Sequence, residues 1–461
     1  MYRKTKHIHF VGIGGIGMSG IAELLVNLGY RVSGSDLGQS HITENLARQG
    51  CTVYVGHQRQ WMTGADVVVT SSAIAPDNPE VLAAREQCIP VIMRAEMLAE
   101  LMRLKKFGIA IAGSHGKTST SSMVSWMMAQ AGLDPTIVVG GKVDCLGGNA
   151  KLGEGEFLVA EADESDGSFL KLSPVLEVIT NIDLEHLDYY RDIDHIKTSF
   201  LQFIEKIPFY GAAIICLDDR HVSDILPEIK RRVITYGLTA QSDLYAEQIS
   251  FAQGRVRFFV KRGEETLGEI SFAPPGIHNV YNALAAICVG LELEISFQVI
   301  ADALGSFAGV QRRMQHKGTA ADITVFDDYG HHPTEIRATL SAIKQAWPEK
   351  RLVVLFQPHR YSRTKGLFKE FQTCFHQADL LVMTDIYAAS EEPIDGVSSE
   401  GLMNKIQQHG QRYTAYVPEL QELAEKVRPM LQPGDLVLSL GAGNIVTVGE
   451  QLLLLLQQER S

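Results

Sequence analysis

A chain of 461 residues has room for about three domains of ordinary size, and 45% hydrophobic with 21% charged residues suits a soluble globular protein with sizeable cores. The net charge of −12 argues against a general nucleic-acid surface, which needs clustered Lys and Arg. A polyanionic ligand would therefore have to be held by local basic groups, amide nests and metal.

The first hundred residues alternate short β-rich runs with helical stretches. Strands are predicted at His7–Ile13, Arg31–Asp36, Thr52–Val55, Asp66–Ser71 and Val91–Arg94, a rhythm that indicates a parallel α/β layer. The first strand leads into Gly12-Ile-Gly-Gly-Ile-Gly-Met-Ser-Gly20, which contains G-x-G-x-x-G as Gly12, Gly14 and Gly17. Glycine at these points lets the backbone approach a diphosphate and the helix pack on the strand. Asp36 ends the second strand at the offset where an acidic residue meets a ribose hydroxyl. NAD satisfies this pattern and a UDP-sugar satisfies it equally, while a purely structural glycine turn is the plainer alternative.

Arg103-Leu-Lys-Lys106 reads as the charged exit from this domain. A second begins with the apolar run Phe107–Ala112, followed by Gly113-Ser-His-Gly-Lys-Thr-Ser119 and a helical segment from Lys117 to Ala131. Strand, glycine loop, Lys-Thr and helix is how a chain grips nucleotide phosphates. Amide groups and the helix N-terminus receive the anion, Lys117 reaches the terminal phosphates, and the Thr118 hydroxyl takes Mg²⁺. The common longer loop has glycine at the position of Ile111, so this one is a shortened G-x-x-G-K-T. Further strands are predicted at Phe157–Glu161, Glu177–Asp183 and Ala212–Leu217. The acidic run Glu161-Ala-Asp-Glu-Ser-Asp166 follows one of them, where a carboxylate can complete the shell begun by Thr118. Glu161 lies nearest the strand end and is favoured over Asp163, Glu164 and Asp166. Thr180–Asp188 follows the next strand, and its His186 is a candidate for a second metal or a phosphate.

From 240 to 273 the texture changes to alternating strands, Asp243–Ile249, Arg255–Val260 and Glu269–Phe272, which predict a small antiparallel patch. Pro274-Pro275-Gly276 ends it, and a small-residue helix, Asn279 to Leu291, follows. His278 and Asn279 at its start can read a base edge, although Asn is also a good N-cap. Arg312 and Arg313 then sit at a predicted hinge, where an arginine can complete an ATP site when domains close. The third α/β unit has predicted strands Ile323–Asp327, Leu352–Phe356, Leu380–Thr384 and Asp435–Leu440, with a helix at Pro333–Trp347. Asp327-Asp-Tyr-Gly-His-His-Pro-Thr-Glu335 and Phe356-Gln-Pro-His-Arg-Tyr-Ser-Arg363 both end strands at the carboxyl edge, where open α/β sheets bind ligands. Their arginines suit an amino-acid carboxylate.

Six cysteines, at 51, 88, 145, 216, 288 and 374, form no C-x-x-C pair, so thiols in a reducing cytoplasm are expected. The N-terminal residues show no signal-peptide core. Leu452–Leu456, the longest strongly apolar C-terminal run, is too short to span a bilayer and reads as one face of a terminal helix.

In this order, Gly12–Gly20, Gly113–Ser119, Glu161–Asp166, Asn181–His186, Pro275–Asn282, Gln311–Arg313, Asp327–Glu335 and Phe356–Arg363 resemble the motifs of the Mur ligases of peptidoglycan synthesis, over essentially the whole chain. Within that family the first and the last two segments are most similar to the branch that adds L-alanine. The resemblance implies an α/β protein of three domains. A Rossmann-like domain (1–106) would bind UDP-N-acetylmuramate. A central P-loop ATPase-type domain with the antiparallel patch (107–311) would bind ATP with Mg²⁺, or Mn²⁺ in its place. A C-terminal Rossmann-like domain (312–461) would present L-alanine. ATP would phosphorylate the lactyl carboxylate, the amine would attack the acyl phosphate, and ADP and phosphate would leave.

By the same resemblance the UDP-linked substrate would be held by Gly14, Gly15, Gly17, Met18, Asp36, Ser71 and Ser72. ATP would be held by Gly113, Ser114, His115, Gly116, Lys117, Thr118, Ser119, His278, Asn279, Asn282, Arg313 and Asp328. The metals would meet Thr118, Glu161 and His186. Tyr329, His331, His332, Arg360 and Arg363 would line the amino-acid site. Lys117, Glu161, His186, Arg313 and His331 would carry the chemistry. Lys197 lies at the wrong offset for the carbamylated lysine that several Mur ligases use. A cytoplasmic monomer or weak homodimer, without nucleic acid or membrane insertion, is expected. The rival readings are a ligase that recycles a tripeptide onto UDP-N-acetylmuramate, from another class an NAD-binding oxidoreductase or regulatory module, and third a motor or switch NTPase, whose hydrolysis would need no amino acid.

Overall fold

The computed structural model describes residues 5–143, 148–186 and 189–458. Cys145, and Leu187 and Asp188 at the end of the Thr180–Asp188 motif, lie outside them. The chain folds as two compact units. One comprises Met1–Gln248, Phe258–Ile270 and Tyr281–Ala308, and the other Ile249–Arg257, Ser271–Val280 and Gly309–Ser461. Three sheets run through the described residues.

The first sheet is all parallel: β1 (His7–Val11), β2 (Arg31–Asp36), β3 (Thr52–Val55), β4 (Val67–Thr70) and β5 (Val91–Met93), in the order β3-β2-β1-β4-β5. Ile8, Phe10 and Val69 face one apolar layer, and Val11 and Val68 the other. Three of its strands are shorter than predicted, for visible reasons. Arg94 leaves β5 because it opens the helix Arg94–Met102. Asp66 leaves the ladder because its carboxylate accepts from the amides of Lys6 and His7 at 2.7 and 2.9 Å. Gly12 and Ile13 leave it because their amides turn onto the Ser35 carbonyl.

The second sheet contains β6 (Phe107–Ala112), β7 (Thr136–Val143), β8 (Gly148–Lys151), β9 (Phe157–Glu161), β10 (Leu176–Ile179), β11 (Ala212–Cys216), β12 (Val233–Gly237), β13 (Leu244–Ala252), β14 (Arg255–Arg262) and β15 (Glu265–Phe272). Their order is β15-β14-β13-β12-β11-β10-β6-β9-β7-β8. Its centre is parallel. Two-residue connections join β13 to β14 and β14 to β15, which only antiparallel neighbours can accept, so the predicted patch is present. Ile111, the residue standing where a longer loop has glycine, is a fully buried rung of β6. The prediction ran β10 on to Asp183, but it ends at Ile179 because Thr180 and Asn181 bond to the glycine loop instead.

The third sheet, in the second unit, holds β16 (Gln315–Ala320), β17 (Ile323–Asp328), β18 (Leu352–Phe356), β19 (Leu380–Met383), β20 (Thr414–Tyr416) and β21 (Leu436–Leu440), in the order β16-β17-β21-β18-β19-β20. Only β16 runs antiparallel to its neighbour. Alternate residues of β18 and β21 feed two separate cores, Leu352, Val354 and Leu438 on one face and Val353, Leu355 and Val437 on the other. This is the signature of a parallel sheet covered on both sides. The terminal helix Val446–Gln458 buries Leu452, Leu453 and Leu456 and exposes Leu454, as one face of an amphipathic helix requires.

Candidate active site

The glycine loop between β6 and the helix Lys117–Gln130 is held open by its neighbours rather than by its own sequence. Gly113 has φ +128°, and a Cβ there would stand 2.1 Å from Thr180 Oγ1. Gly116 has φ +82° and would meet Asn282 Oδ1 at 2.5 Å. Neither position tolerates a side chain. The segment after β10 stitches the loop down. Asn181 Oδ1 accepts from His115 N at 2.8 Å, the amide of Asp183 donates to Ser114 Oγ at 2.8 Å, and Asp183 Oδ2 meets His115 Nε2 at 3.0 Å. Asn282 joins from the helix Ile277–Glu292, accepting from Thr120 Oγ1 at 3.2 Å.

Lys117 lies across this loop. Its Nζ donates to the carbonyls of Gly113 (2.6 Å) and Ser114 (3.1 Å) and pairs with Glu164 at 2.8 Å. Burial alone would lower its pKa, but Glu164 and Glu161 outweigh that and hold the ammonium above its ordinary range. A cation so placed, with amides and a helix start around it, is poised to receive phosphate oxygens.

Thr118 and Glu161 come together as expected: Thr118 Oγ1 lies 3.2 and 3.1 Å from the two Glu161 oxygens. Glu161 also accepts from Gly140 N at 2.7 Å. His186, at φ +55°, brings its Nε2 to 3.6 Å from Glu164 and 3.7 Å from Glu185. Burial lowers this imidazole's pKa, yet the nearby Glu164 and Glu185 carboxylates raise it on balance. Glu164, Glu185 and His186 hold their ligand atoms within 4.8 Å of one another. Glu164 Oε2 is buried without a hydrogen-bond donor among the described residues. Hydroxyl and carboxylate oxygens with one imidazole suit a hard divalent cation, so these residues fit the metals expected of them. In the sequence Glu164 was weighed and set behind Glu161, and Glu185 was not read as a ligand. Asp163 and Asp166 serve the loop itself, accepting from Ser165 N and Ser168 N. Lys197 pairs with Asp224 at 2.7 Å.

In the first sheet the glycine loop and Asp36 do meet. Asp36 Oδ2 accepts from Gly14 N at 2.8 Å. Gly15 and Ser72 are exposed, and Gly14, Gly17 and Ser71 half-buried. Met18 is 2% exposed and packs in the core, so only its main chain can serve a ligand. Beneath the loop lies a buried polar network with no sequence signal. Glu80, fully buried, accepts from Ser35 Oγ (2.9 Å) and bonds the rings of His9 (2.6 Å) and His57 (3.1 Å). Ser35 is the residue whose carbonyl takes the Gly12 and Ile13 amides.

In the second unit, the ends of β17 and β18 bring Tyr329, His331 and His359 together. The His331 ring lies 5.4 Å from Tyr329 and 5.8 Å from His359, which stacks on Tyr387 at 5.6 Å. The two histidines carry opposite tautomers. His331 Nδ1 faces the Tyr329 carbonyl at 3.0 Å and must donate, leaving its Nε2 lone pair as a base. His359 Nδ1 faces Arg363 Nη1 at 3.0 Å and must accept, so its Nε2 carries the hydrogen. Both are held neutral: burial lowers His331 to about 3, with Arg363 pushing the same way against Glu335, and burial with Arg363 and Arg360 lowers His359 to about 4. Arg360 is exposed, at φ +68°.

Other expected residues have structural duties. His332 N-caps the helix Pro333–Ala346, in a reciprocal pair with Glu335. Asp328 is buried, accepting from Met314 N (2.7 Å), Gly330 N (2.8 Å) and Thr339 Oγ1 (3.3 Å), and burial lifts its pKa to about 6 against the pull of Arg313. Arg313 reaches Glu335 at 3.6 Å, and Arg312 and Arg313 both lie over the Tyr329 ring, at 4.9 and 5.3 Å. Asn279 Nδ2 donates to the Pro275 carbonyl at 3.1 Å. His278 is lowered to about 4 by burial and Arg313. His359 and Tyr387 are the site residues missed in the sequence. The His within Phe356–Arg363 offered a signal, whereas Tyr387 arrives from after β19 with none.

Residues 7–106 match the Mur ligase family catalytic domain, 111–290 the Mur ligase middle domain and 312–443 the Mur ligase glutamate ligase domain. The UDP-N-acetylmuramate–L-alanine ligase of Desulfotalea psychrophila is 70% identical over 459 residues, covering 100% of both chains, and that of Geobacter sulfurreducens is 58% identical over 461 residues with the same coverage. Among solved structures, the UDP-N-acetylmuramate–alanine ligase of Thermotoga maritima aligns with a TM-score of 0.83 at 28% identity, covering 98% of this chain and 99% of that one. A murein peptide ligase of Psychrobacter arcticus gives 0.72 at 25% identity over 98% and 99%.

Proposed function

The chain belongs to the Mur ligase family, and on that premise we propose that it joins L-alanine to the lactyl carboxylate of UDP-N-acetylmuramate at the expense of ATP, in peptidoglycan precursor synthesis. The full-length match to alanine-adding relatives carries this reading. The domain limits proposed are 1–106 for the UDP-linked substrate, 107–311 for ATP and 312–461 for the amino acid.

A carboxylate is a poor electrophile and its hydroxide a poor leaving group, and transfer of the γ-phosphoryl group repairs both faults. Lys117 would neutralise charge on the phosphates as it leaves Gly113 O and Ser114 O for them. Thr118 and Glu161 would hold one Mg²⁺, with Mn²⁺ an alternative, and Glu164, Glu185 and His186 a second. When bound, the ions would supply Lewis-acid stabilisation of the phosphoryl oxygens. Arg360 and Arg363 would take the alanine carboxylate. The alanine ammonium must lose a proton before its amine attacks the acyl phosphate, and the Nε2 lone pair of His331 is the acceptor proposed for it. Burial is the main cause that depresses this imidazole, and pairing of the alanine carboxylate with Arg363 would relieve only the smaller contribution of that guanidinium. Arg313 is proposed to complete the ATP site, with Asp328 shaping the Tyr329–Gly330 turn.

Among the described residues no helix is long and apolar enough to cross a membrane, and Cys51, Cys88, Cys216, Cys288 and Cys374 are free thiols. These facts support a cytoplasmic enzyme, proposed as a monomer or weak homodimer. The test is ADP formation across a panel of acceptors with UDP-N-acetylmuramate present. L-alanine is expected to support turnover and a tripeptide is not, and preference for the tripeptide would favour the recycling ligase.

A further inference from the structure

Arg94 sits where two loops with separate duties meet. It opens the helix Arg94–Met102 directly after β5, at the carboxyl edge of the first sheet. There it lies against the first turn of the helix Ile16–Asn27: a Cβ added at Gly17 would stand 3.0 Å from Arg94 Nη1 and 3.2 Å from its Cδ. The other nitrogen, Nη2, donates to Asp163 Oδ2 at 2.8 Å, in the loop after β9 that delivers the carboxylates of the ATP site. Asp163 shapes that loop. Its Oδ1 accepts from Ser165 N at 3.1 Å and its carbonyl from Phe169 N at 3.1 Å. The next residue, Glu164, holds Lys117.

We propose that Arg94 is a positioning residue that grips the diphosphate of the UDP-linked substrate with one nitrogen while keeping Asp163 with the other, so that filling the first glycine loop sets the acidic loop of the ATP site. The inference rests on the ligase reading. Two observations and one chemical principle support it. The guanidinium passes so close to Gly17, in the turn expected to receive a diphosphate, that a side chain there would crowd it. The pair is partly open, with Arg94 23% and Asp163 41% exposed, so an incoming anion can reach the cation. A guanidinium can serve two anions from one plane, which an ammonium cannot.

The test is calorimetric binding of UDP-N-acetylmuramate, and of UDP alone, with and without a non-hydrolysable ATP analogue, to wild type, Arg94→Lys, Arg94→Ala and Asp163→Asn, with melting temperatures recorded for each. In the wild type the analogue should tighten UDP-N-acetylmuramate binding about 5-fold or more, within the usual range of coupling between sites. Arg94→Ala should weaken UDP and UDP-N-acetylmuramate alike and bring the ratio near one. Arg94→Lys should keep part of the affinity and lose the ratio. Asp163→Asn should keep the UDP affinity and also lose the ratio. A purely structural role would lower the melting temperature while leaving affinity and ratio intact, and that result overturns the proposal, as does a wild-type ratio of one. Failure of the wild type to bind UDP-N-acetylmuramate at all would instead count against the ligase reading itself.

Discussion

The glycine loop around Lys117 and the pair of strand ends around His331 and His359 solve opposite electrostatic problems. At the loop, opposite charges are packed together: Lys117 with Glu164, and His186 between Glu164 and Glu185, with the cations driven to stay charged. At the strand ends, histidines lie beside arginines and are driven to stay neutral. The first arrangement is a set of ion pairs that phosphates and divalent metal can enter by exchange. The second reserves positive charge for the arginines and leaves imidazole as hydrogen-bond donor and base. A nucleotide needs the former, and an amino acid that binds by its carboxylate and reacts by its amine needs the latter.

The sharpest way to break this contrast is at its charged end. Lys117→Ala should reduce kcat by about 10²–10³-fold or more, the scale of losing one dedicated charge-stabilising donor, while UDP-N-acetylmuramate binding by calorimetry stays intact. Loss of that binding would contradict the separation of the sites. At the other end, Arg363→Ala removes both a carboxylate partner and the donor to His359. The KM for L-alanine should rise about 10–100-fold, as expected for a hydrogen bond to a charged group, with the KM for ATP little changed. A rise confined to ATP would reverse the assignment.

A pH series sharpens the same comparison. Folding depresses His278, His331 and His359, in the second unit, from 6.5 to about 4, 3 and 4. The unfolded chain therefore binds protons that the folded chain refuses as pH falls below 6.5. The stability these neutral rings contribute is full above that value and is lost down to about pH 3 to 4. Hydrogen exchange in β17 and β18 should quicken over this window. His186, raised instead, works with the opposite sign: its contribution is full below 6.5 and fades as pH rises through its elevated folded value. No pH effect in β17 and β18 would remove the argument for neutral imidazoles.

The smallest effect concerns a carboxyl group that belongs to neither site. Glu177, in β10, is fully buried, and neither carboxylate oxygen has a hydrogen-bond partner among the described residues. Burial raises it well above the ordinary range. Such a group costs stability once pH exceeds the unfolded value near 4.5. Glu177→Met should therefore raise the melting temperature at pH 7 by a few degrees, corresponding to about 1–3 kcal/mol for relieving an unsatisfied buried group. The gain should shrink at pH 4.

How much of this was legible in the sequence follows the physics of each element. Buried parallel strands such as β6, β9 and β18 are continuous apolar runs and were read to within a residue. The polar or very short strands β8, β16 and β20 carry no such run, and β7 is interrupted by Gly140 and Gly141, so none of these was predicted. Residues that act where they stand, such as Thr118 with Glu161 or Asp36 with Gly14, were visible because loop and strand end fix their place. Glu185, Glu80 and Tyr387 were not, and Glu164 was set behind Glu161, since their partners come from other elements and only packing brings them together. Asp328 and His332 carried the motif in sequence, and in the fold their side chains also build the turn and helix start that present Tyr329 and His331.

The most direct test of the central claim is ADP release from ATP measured with the complete mixture and with each substrate left out in turn. The account predicts sustained release only when ATP, UDP-N-acetylmuramate and L-alanine are all present. Equal release without UDP-N-acetylmuramate or without L-alanine would contradict it, and would leave the Lys117 loop as the engine of a simple nucleotide hydrolase.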